Sequence, residues 1–238
     1  VNLIQCKNLD SLKQLLSGIP KALDYLNGKC NKGTAKAFLG LARNSKMPCL
    51  SFDIPAKSTC NRGGKLAEKE GTVCSGCYAD KGMNVFKPAR IAKQRRLEVL
   101  KECMETVEGR KYWREAFVHA MKGENYFRWH SAGDMFSPQQ VILILDCVRF
   151  TPWVQHWVPT REFSFAKAMG YSELDNLVVR VSDDFIDQIN GKNFPNTSGV
   201  HKVSEGRGEP CSATKQEGCG PCRKCWQQDV KHISYPYH

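Results

Sequence analysis

Short β-prone stretches alternating with helix-patterned ones are the feature of this 238-residue chain that most restricts its fold. Tyr126 to His130 (YFRWH) is rich in aromatics and runs into Ser131-Ala132-Gly133-Asp134, the composition of a strand ending at a tight turn. Ser137, Pro138 and Gln140 then supply an N-cap, a first-turn proline and a capping-box glutamine, and Val141, Leu143, Leu145 and Val148 continue the pattern as a helix. Val154 to Pro159 reads as another strand ending at Thr160-Arg161-Glu162, followed by a short helical segment around Phe165 to Met169. Leu177 to Val181 (LVVRV) is strand-like again and ends at Ser182-Asp183-Asp184. Upstream, Pro48 to Pro55 (PCLSFDIP) predicts the first strand of the series. Strands separated by helices pair in parallel through right-handed crossovers. The expected class is therefore α/β, with a largely parallel sheet in a partial or irregular (β/α) barrel-like arrangement and a cysteine-rich C-terminal tail.

Three regions follow from this pattern. Residues 1–47 form a helical cover, because the apolar spacing of Leu12 to Leu26 is interrupted at Gly18-Ile19-Pro20 and predicts two short helices. Residues 48–190 form the α/β core, including a first cysteine loop at 60–77, with helices expected after Pro88 and over Tyr112 to Met121. Residues 191–238, rich in Gly, Asn, Ser and Pro at their start, form an irregular cysteine-rich segment packed on that core.

In open α/β sheets and barrels, ligands bind beyond the carboxyl ends of the strands. Four consecutive strand ends carry polar or ligand-type residues here: the Cys60 loop, His130 to Asp134, Thr160 to Glu162, and Ser182 to Asp184. Singly, each reads as a turn or a helix cap; together they point to one site. His130 and Asp134 are its candidates for proton transfer, and Arg161 is its candidate for holding an anionic group.

The cysteines give that site its chemistry. An apolar fraction of 41% and a charged fraction of 25% suffice for an ordinary core, so disulfide stapling is not required. No export signal and no run of 18 apolar residues occurs, which predicts a soluble, intracellular chain with no membrane partner. In a reducing compartment, dense cysteine spacing points to metal or catalysis. Of the 12 cysteines, four close the chain as Cys211-x7-Cys219-x2-Cys222-x2-Cys225. Successive x2 intervals wrap one face of a compact centre, as in ferredoxin-type runs, whereas zinc takes two separated pairs. An iron-sulfur cluster is the first reading and zinc the second. Cys60-x13-Cys74-x2-Cys77 offers three thiols and so leaves one position open for substrate or cofactor. Two centres, one closed and one open, or a single centre drawing on both segments fit the spacing. Cys6, Cys30, Cys49, Cys103 and Cys147 lack partners at ligand spacing and read as small buried hydrophobes.

Lys plus Arg number 35 against 24 Asp plus Glu, a net charge of +11, which favours a nucleic acid or another polyanionic ligand. The densest basic run, Lys87, Arg90, Lys93, Arg95 and Arg96, reads as a solvated helix face. A metal-stabilised nucleic-acid-binding module is thus an alternative to an enzyme, as is an electron-transfer protein with no substrate of its own.

Four blocks, SFDIPAKSTC (51–60), CSGCYA (74–79), FRWHSAGDMFS (127–137) and the closing CSATKQEGCGPCRKCW, resemble the bacteriophage gene product 88 domain family. The resemblance implies a phage-encoded protein of the infected host's cytoplasm holding an iron-sulfur centre on Cys60, Cys74, Cys77, Cys211, Cys219, Cys222 and Cys225. A looser likeness is to radical S-adenosylmethionine enzymes, in the order of a three-cysteine loop, a polar second strand end and a cysteine-rich extension. That likeness implies one or two 4Fe-4S clusters and S-adenosylmethionine held near Ser131, Gly133, Asp134 and Ser182. The spacing departs from it, with x13 between the first two cysteines and Tyr78 after, rather than before, the last.

Overall fold

The computed structural model describes residues 9–189, 193–203, 207–211, 213 and 218–237. Two short helices, α1 (Leu9–Leu15) and α2 (Pro20–Leu26), flank the predicted Gly-Ile-Pro break, with Pro20 in the first turn of the second. A third, α3 (Lys32–Leu39), was not expected from the pattern; Asn31 caps it through a reciprocal capping box with Thr34, and Gly40 ends it at φ 64°. Then come β1 (Ala42–Arg43), β2 (Leu50–Ser51), α4 (Asn61–Ala67), α5 (Lys87–Met104) and α6 (Val107–Met121). The last starts five residues before its expected boundary because Thr106 caps it on Gly109 N.

The alternation continues as read: β3 (Tyr126–Arg128), α7 (Pro138–Arg149), β4 (Gln155–Thr160), α8 (Phe163–Gly170) and β5 (Leu177–Ser182). At the α7 start, Ser137 Oγ accepts from Gln140 N at 3.2 Å, while the Gln140 side chain accepts from Phe136 N at 3.0 Å. The segment after residue 190, expected to be irregular, instead contributes β6 (Thr197–His201), β7 (Glu209–Pro210) and β8 (His232–Pro236) to the sheet.

Among the described residues eight strands lie in the order β1-β2-β3-β4-β5-β6-β8-β7, with β1 and β2 antiparallel and the other pairs parallel. The sheet is open, with β1 and β7 as its edges, so the barrel-like arrangement does not close. Strands β2 to β6 follow one another across the sheet in chain order. Right-handed crossovers in one direction place their helices on the same face. Phe127, Val158 and Leu177 enter the large core against α5, α6 and α7, where Trp113, Phe117 and Trp129 stack. Their strand neighbours point the other way: Trp157 forms a second small core with Cys49 and Trp226, bordered by Met47, Tyr126, Cys225 and Tyr235. The helices cover one face, and the cysteine-bearing segment before β8 covers the other.

Candidate functional site

The first cysteine group sits beyond the carboxyl ends of β2 to β5. Cys60 occupies the N-cap position of α4, its amide bonded to Lys57 O at 3.2 Å. Gly63, one turn into α4, keeps the space beside it clear. A Cβ there would lie 3.4 Å from Cys74 Sγ and 3.9 Å from Cys60 Sγ, so both sulfurs lie together against the start of α4. Cys77 closes a tight turn with its amide on Cys74 O at 3.2 Å. Burial pushes the Cys60 thiol up to about 12, and Asp134, Cys74 and Cys77 add to the rise. Burial also raises Cys74, opposed chiefly by the positive charge of Arg161.

Carboxylates and arginines surround these sulfurs. Asp134 is buried and accepts from Thr160 Oγ1 at 2.7 Å, Arg161 N at 2.8 Å and Met135 N at 2.8 Å, tying the turn after β3 to the end of β4. Burial raises its carboxyl to about 6, against the pull of those donors. Arg161 points its Nε and Nη2 at Asp183 O, at 3.3 and 3.2 Å. Arg62 donates its amide to Glu162 at 2.7 Å and pairs its guanidinium with Asp184. Cys60, Cys74, Cys77, Asp134, Arg161 and the Asp184 strand end are therefore one neighbourhood.

The remaining strand-end candidates are placed differently. His130 adopts φ 50° and packs in the helix-side core, its ring 6.3 Å from that of Phe52 and its Nε2 3.4 Å from Gln140 Nε2. Its Nδ1 has no partner, and burial, followed by Arg128, pushes its pKa down to about 3, so the ring is neutral. Ser131 works through its backbone, with its carbonyl accepting from the Tyr78 hydroxyl and its amide donating to Phe52 O at 3.2 Å. Gly133 has φ 77°, and a Cβ on it would stand 2.5 Å from Ile54 Cγ1 and 2.8 Å from Thr59 Oγ1, so close packing explains it. Ser182 Oγ meets Ser198 Oγ across β5 and β6 at 3.2 Å.

Lys93 was missed. Its place in a basic run suggested a solvated helix face, yet it is 6% exposed, with Nζ on Asn84 Oδ1 at 2.6 Å. Burial lowers its pKa, opposed first by Asp53. Arg96 in the same run is held by the Asp53 side chain. The signal that Lys93 faces inward is its spacing: it stands four residues before Leu97 on α5, with Leu100 three further on.

The second group lies on the opposite sheet face. Cys211 N donates to Ser234 O at 2.8 Å, Cys219 N to Lys46 O at 3.0 Å, and Cys222 N to Cys219 O at 3.0 Å. Gly218 has no room for a Cβ, which would stand 2.9 Å from Lys46 O. Cys219 Sγ is 3.8 Å from Met47 Sδ and borders a cavity of about 270 Å³ with Met47, Pro48, Gly218 and Gly220. Cys225 Sγ is 3.5 Å from the Tyr235 hydroxyl. Burial lifts Cys225 to about 11 and Cys49 to about 12; Arg128 opposes both, and Cys219 lies within the electrostatic reach of Cys49. Cys49 is thus part of this neighbourhood rather than only core packing. Cys6 lies outside the described residues.

Two donors beside the small core on this face, Arg128 Nε and Trp157 Nε1, are enclosed and have no partner among the described residues. The Arg128 guanidinium lies 4.5 Å over the Trp157 ring, and its Nη1 reaches the Met47 sulfur at 3.8 Å. Arg180, fully buried, donates through its two Nη atoms to the carbonyls of Thr197, Lys224, Gln227 and Val230, while its Nε is likewise without a partner among the described residues. Among the described residues no three Cys, His, Asp or Glu side chains stand at coordinating distance of one point. None of the described helices is long and apolar enough to cross a membrane.

A family model described as gene product 88 matches residues 25–228. No curated protein and no solved structure matches the chain, so the likeness to radical S-adenosylmethionine enzymes gains no support from these comparisons.

Proposed function

The chain belongs to the gene product 88 family, and we propose that it is a phage-encoded iron-sulfur protein acting in the host cytoplasm. In this reading Cys211, Cys219, Cys222 and Cys225 hold a closed cluster, and Cys60, Cys74 and Cys77 hold an open one beside the strand-end carboxylates. The observation that carries the reading is the pair of orphaned donors, Arg128 Nε and Trp157 Nε1, enclosed among sulfurs on the second face of the sheet. A buried N–H without an acceptor costs about 1–3 kcal/mol, and more when the group is charged. Thiolates around a metal cluster would form an anion whose sulfurs accept such bonds, and Arg128 Nε and Trp157 Nε1 would be the donors available to it on this face.

The thiols fit this role. Burial keeps Cys60 and Cys225 protonated at neutral pH in the metal-free protein. Metal replaces those protons, so loading strengthens as pH rises. Gly218 and Gly220, the latter at φ 49°, let the backbone turn tightly around the centre. A cluster with one iron free of protein thiolate would supply a redox-active Lewis acid to a ligand bound at the first cysteine group. Around it, Arg161 and Arg62 set positive charge, Asp134 fixes the turn that walls the site, and Glu162 orients the start of α4 through Arg62 N.

Anaerobic reconstitution with iron and sulfide tests the proposal through visible absorption and spin-resonance spectra. Wild-type protein is expected to take up both centres. Cys219→Ala with Cys222→Ala removes the closed centre, and Cys74→Ala with Cys77→Ala removes the open one. Only signals of the open centre should respond to a small ligand such as S-adenosylmethionine. A colourless product, or one that binds zinc and no sulfide, contradicts the reading.

A further inference from the structure

Residues 78–91, directly after the first cysteine group, present an unusual surface. Tyr78, Met83, Val85, Phe86 and Ile91 are 58%, 75%, 48%, 56% and 47% exposed, and Lys81, Lys87 and Arg90 stand exposed among them. The one acidic residue of the segment, Asp80, is engaged by Lys57. The surface is cationic as well as apolar, which distinguishes it from a face awaiting an apolar protein partner.

It is also held in shape from beneath. The 3₁₀ turns Tyr78–Asp80 and Gly82–Val85 are closed by Lys81 N on Tyr78 O at 3.1 Å and Asn84 N on Lys81 O at 3.2 Å. Asn84 Nδ2 donates to Tyr78 O at 3.3 Å, and buried Lys93 holds Asn84 from α5. The Tyr78 hydroxyl is fixed on Ser131 O, so its ring stays at the surface. A lysine buried to fasten an exposed turn makes the display of Tyr78 and Phe86 a preorganised feature, with little ordering left to do on binding.

We propose that this surface binds single-stranded nucleic acid, with bases stacking on Tyr78 and Phe86 and phosphates on Lys81, Lys87 and Arg90. Exposed aromatic faces interleaved with Lys and Arg match the two recurring needs of an unpaired strand, stacking and backbone charge. A duplex offers the charge without the open base faces. This interaction goes beyond the iron-sulfur reading and stands without it, although Tyr78 adjoins Cys77, so a bound strand passes the first cysteine group.

Fluorescence anisotropy with a labelled oligothymidylate tests it, using full-length wild-type protein and variants whose melting curves match it. Binding should weaken with salt along a log–log slope of about −2, the value for three phosphate contacts on a single strand. Phe86→Ala should weaken binding about tenfold, and Lys87→Glu with Arg90→Glu should weaken it at least as much. The charge-matched control Lys111→Glu with Lys122→Glu, on exposed positions of α6 and its C-cap, should stay within about threefold of wild type. Absent binding, equal losses in control and test charge variants, full affinity in Phe86→Ala, or binding to anionic phospholipid vesicles in place of the oligonucleotide each overturns the proposal. Repeating the titration on protein lacking Cys74 and Cys77 separates this interaction from the metal: retained binding with no open cluster leaves it standing alone.

Discussion

Asp134 has the clearest pH signature of any single residue in the strand-end site. Its carboxyl ionises near 3.8 unfolded and about 6 folded, so between these values the folded state carries the extra proton. This group's contribution to stability therefore falls as pH rises from about 4 to about 6 and is flat outside that window. Measured by denaturant unfolding of metal-free protein, wild type should lose up to about 3 kcal/mol relative to Asp134→Asn across the window; a pH-independent difference contradicts the assignment. The turn carrying Asp134 was legible in the sequence because Ser, Gly and Asp after an aromatic strand have few other readings. The direction of His130 was not. Its φ of 50° turns the ring towards Gln140 and the helix-side core, a backbone choice that residue type alone does not announce. Lys93 was hidden for a related reason: charge suggests exposure, and only its register with Leu97 places it inside.

At the scale of elements, Arg180 on β5 is the clasp of the cysteine-bearing segment. It bonds four carbonyls from β6 and the 224–230 stretch, while Trp226 Nε1 donates to Phe127 O at 2.9 Å. Arg180→Met keeps the apolar stem and leaves those acceptors unpaired. It should lower stability by about 2–4 kcal/mol and speed proteolysis between residues 218 and 231 before the helices are cut. Equal cleavage rates in wild type and variant would remove Arg180 from this role. The elements differ in how plainly they are encoded. Helix α7 is marked by a cap, a first-turn proline and apolar periodicity, all local signals. Strands β6 and β8, TSGVH and HISYP, have weak local preference and become strands by pairing along β5 and each other, so context decides them. Helix α3 was overlooked although Asn31 and Thr34 form its capping box, because Gly33 sits within the first turn.

Across the whole molecule, the topology sorts the sulfurs. Sequential parallel strands with one-sided helices leave the strand ends for Cys60, Cys74 and Cys77 and the other sheet face for the late cysteines. The sequence spacing picked out both cysteine sets; the fold sets them at different places on the sheet, which under the proposed iron-sulfur reading argues for two centres rather than one. Cys49 and Met47 were invisible as neighbours of the second set, since Met47 and Cys219 are 172 residues apart in the chain and meet only through the fold.

Counting iron and acid-labile sulfide per chain in protein purified without oxygen tests the two-centre account most directly. About eight of each are expected, falling to about four when Cys219 and Cys222 are both replaced by alanine. Zinc without sulfide, or a folded protein devoid of transition metal, would contradict it.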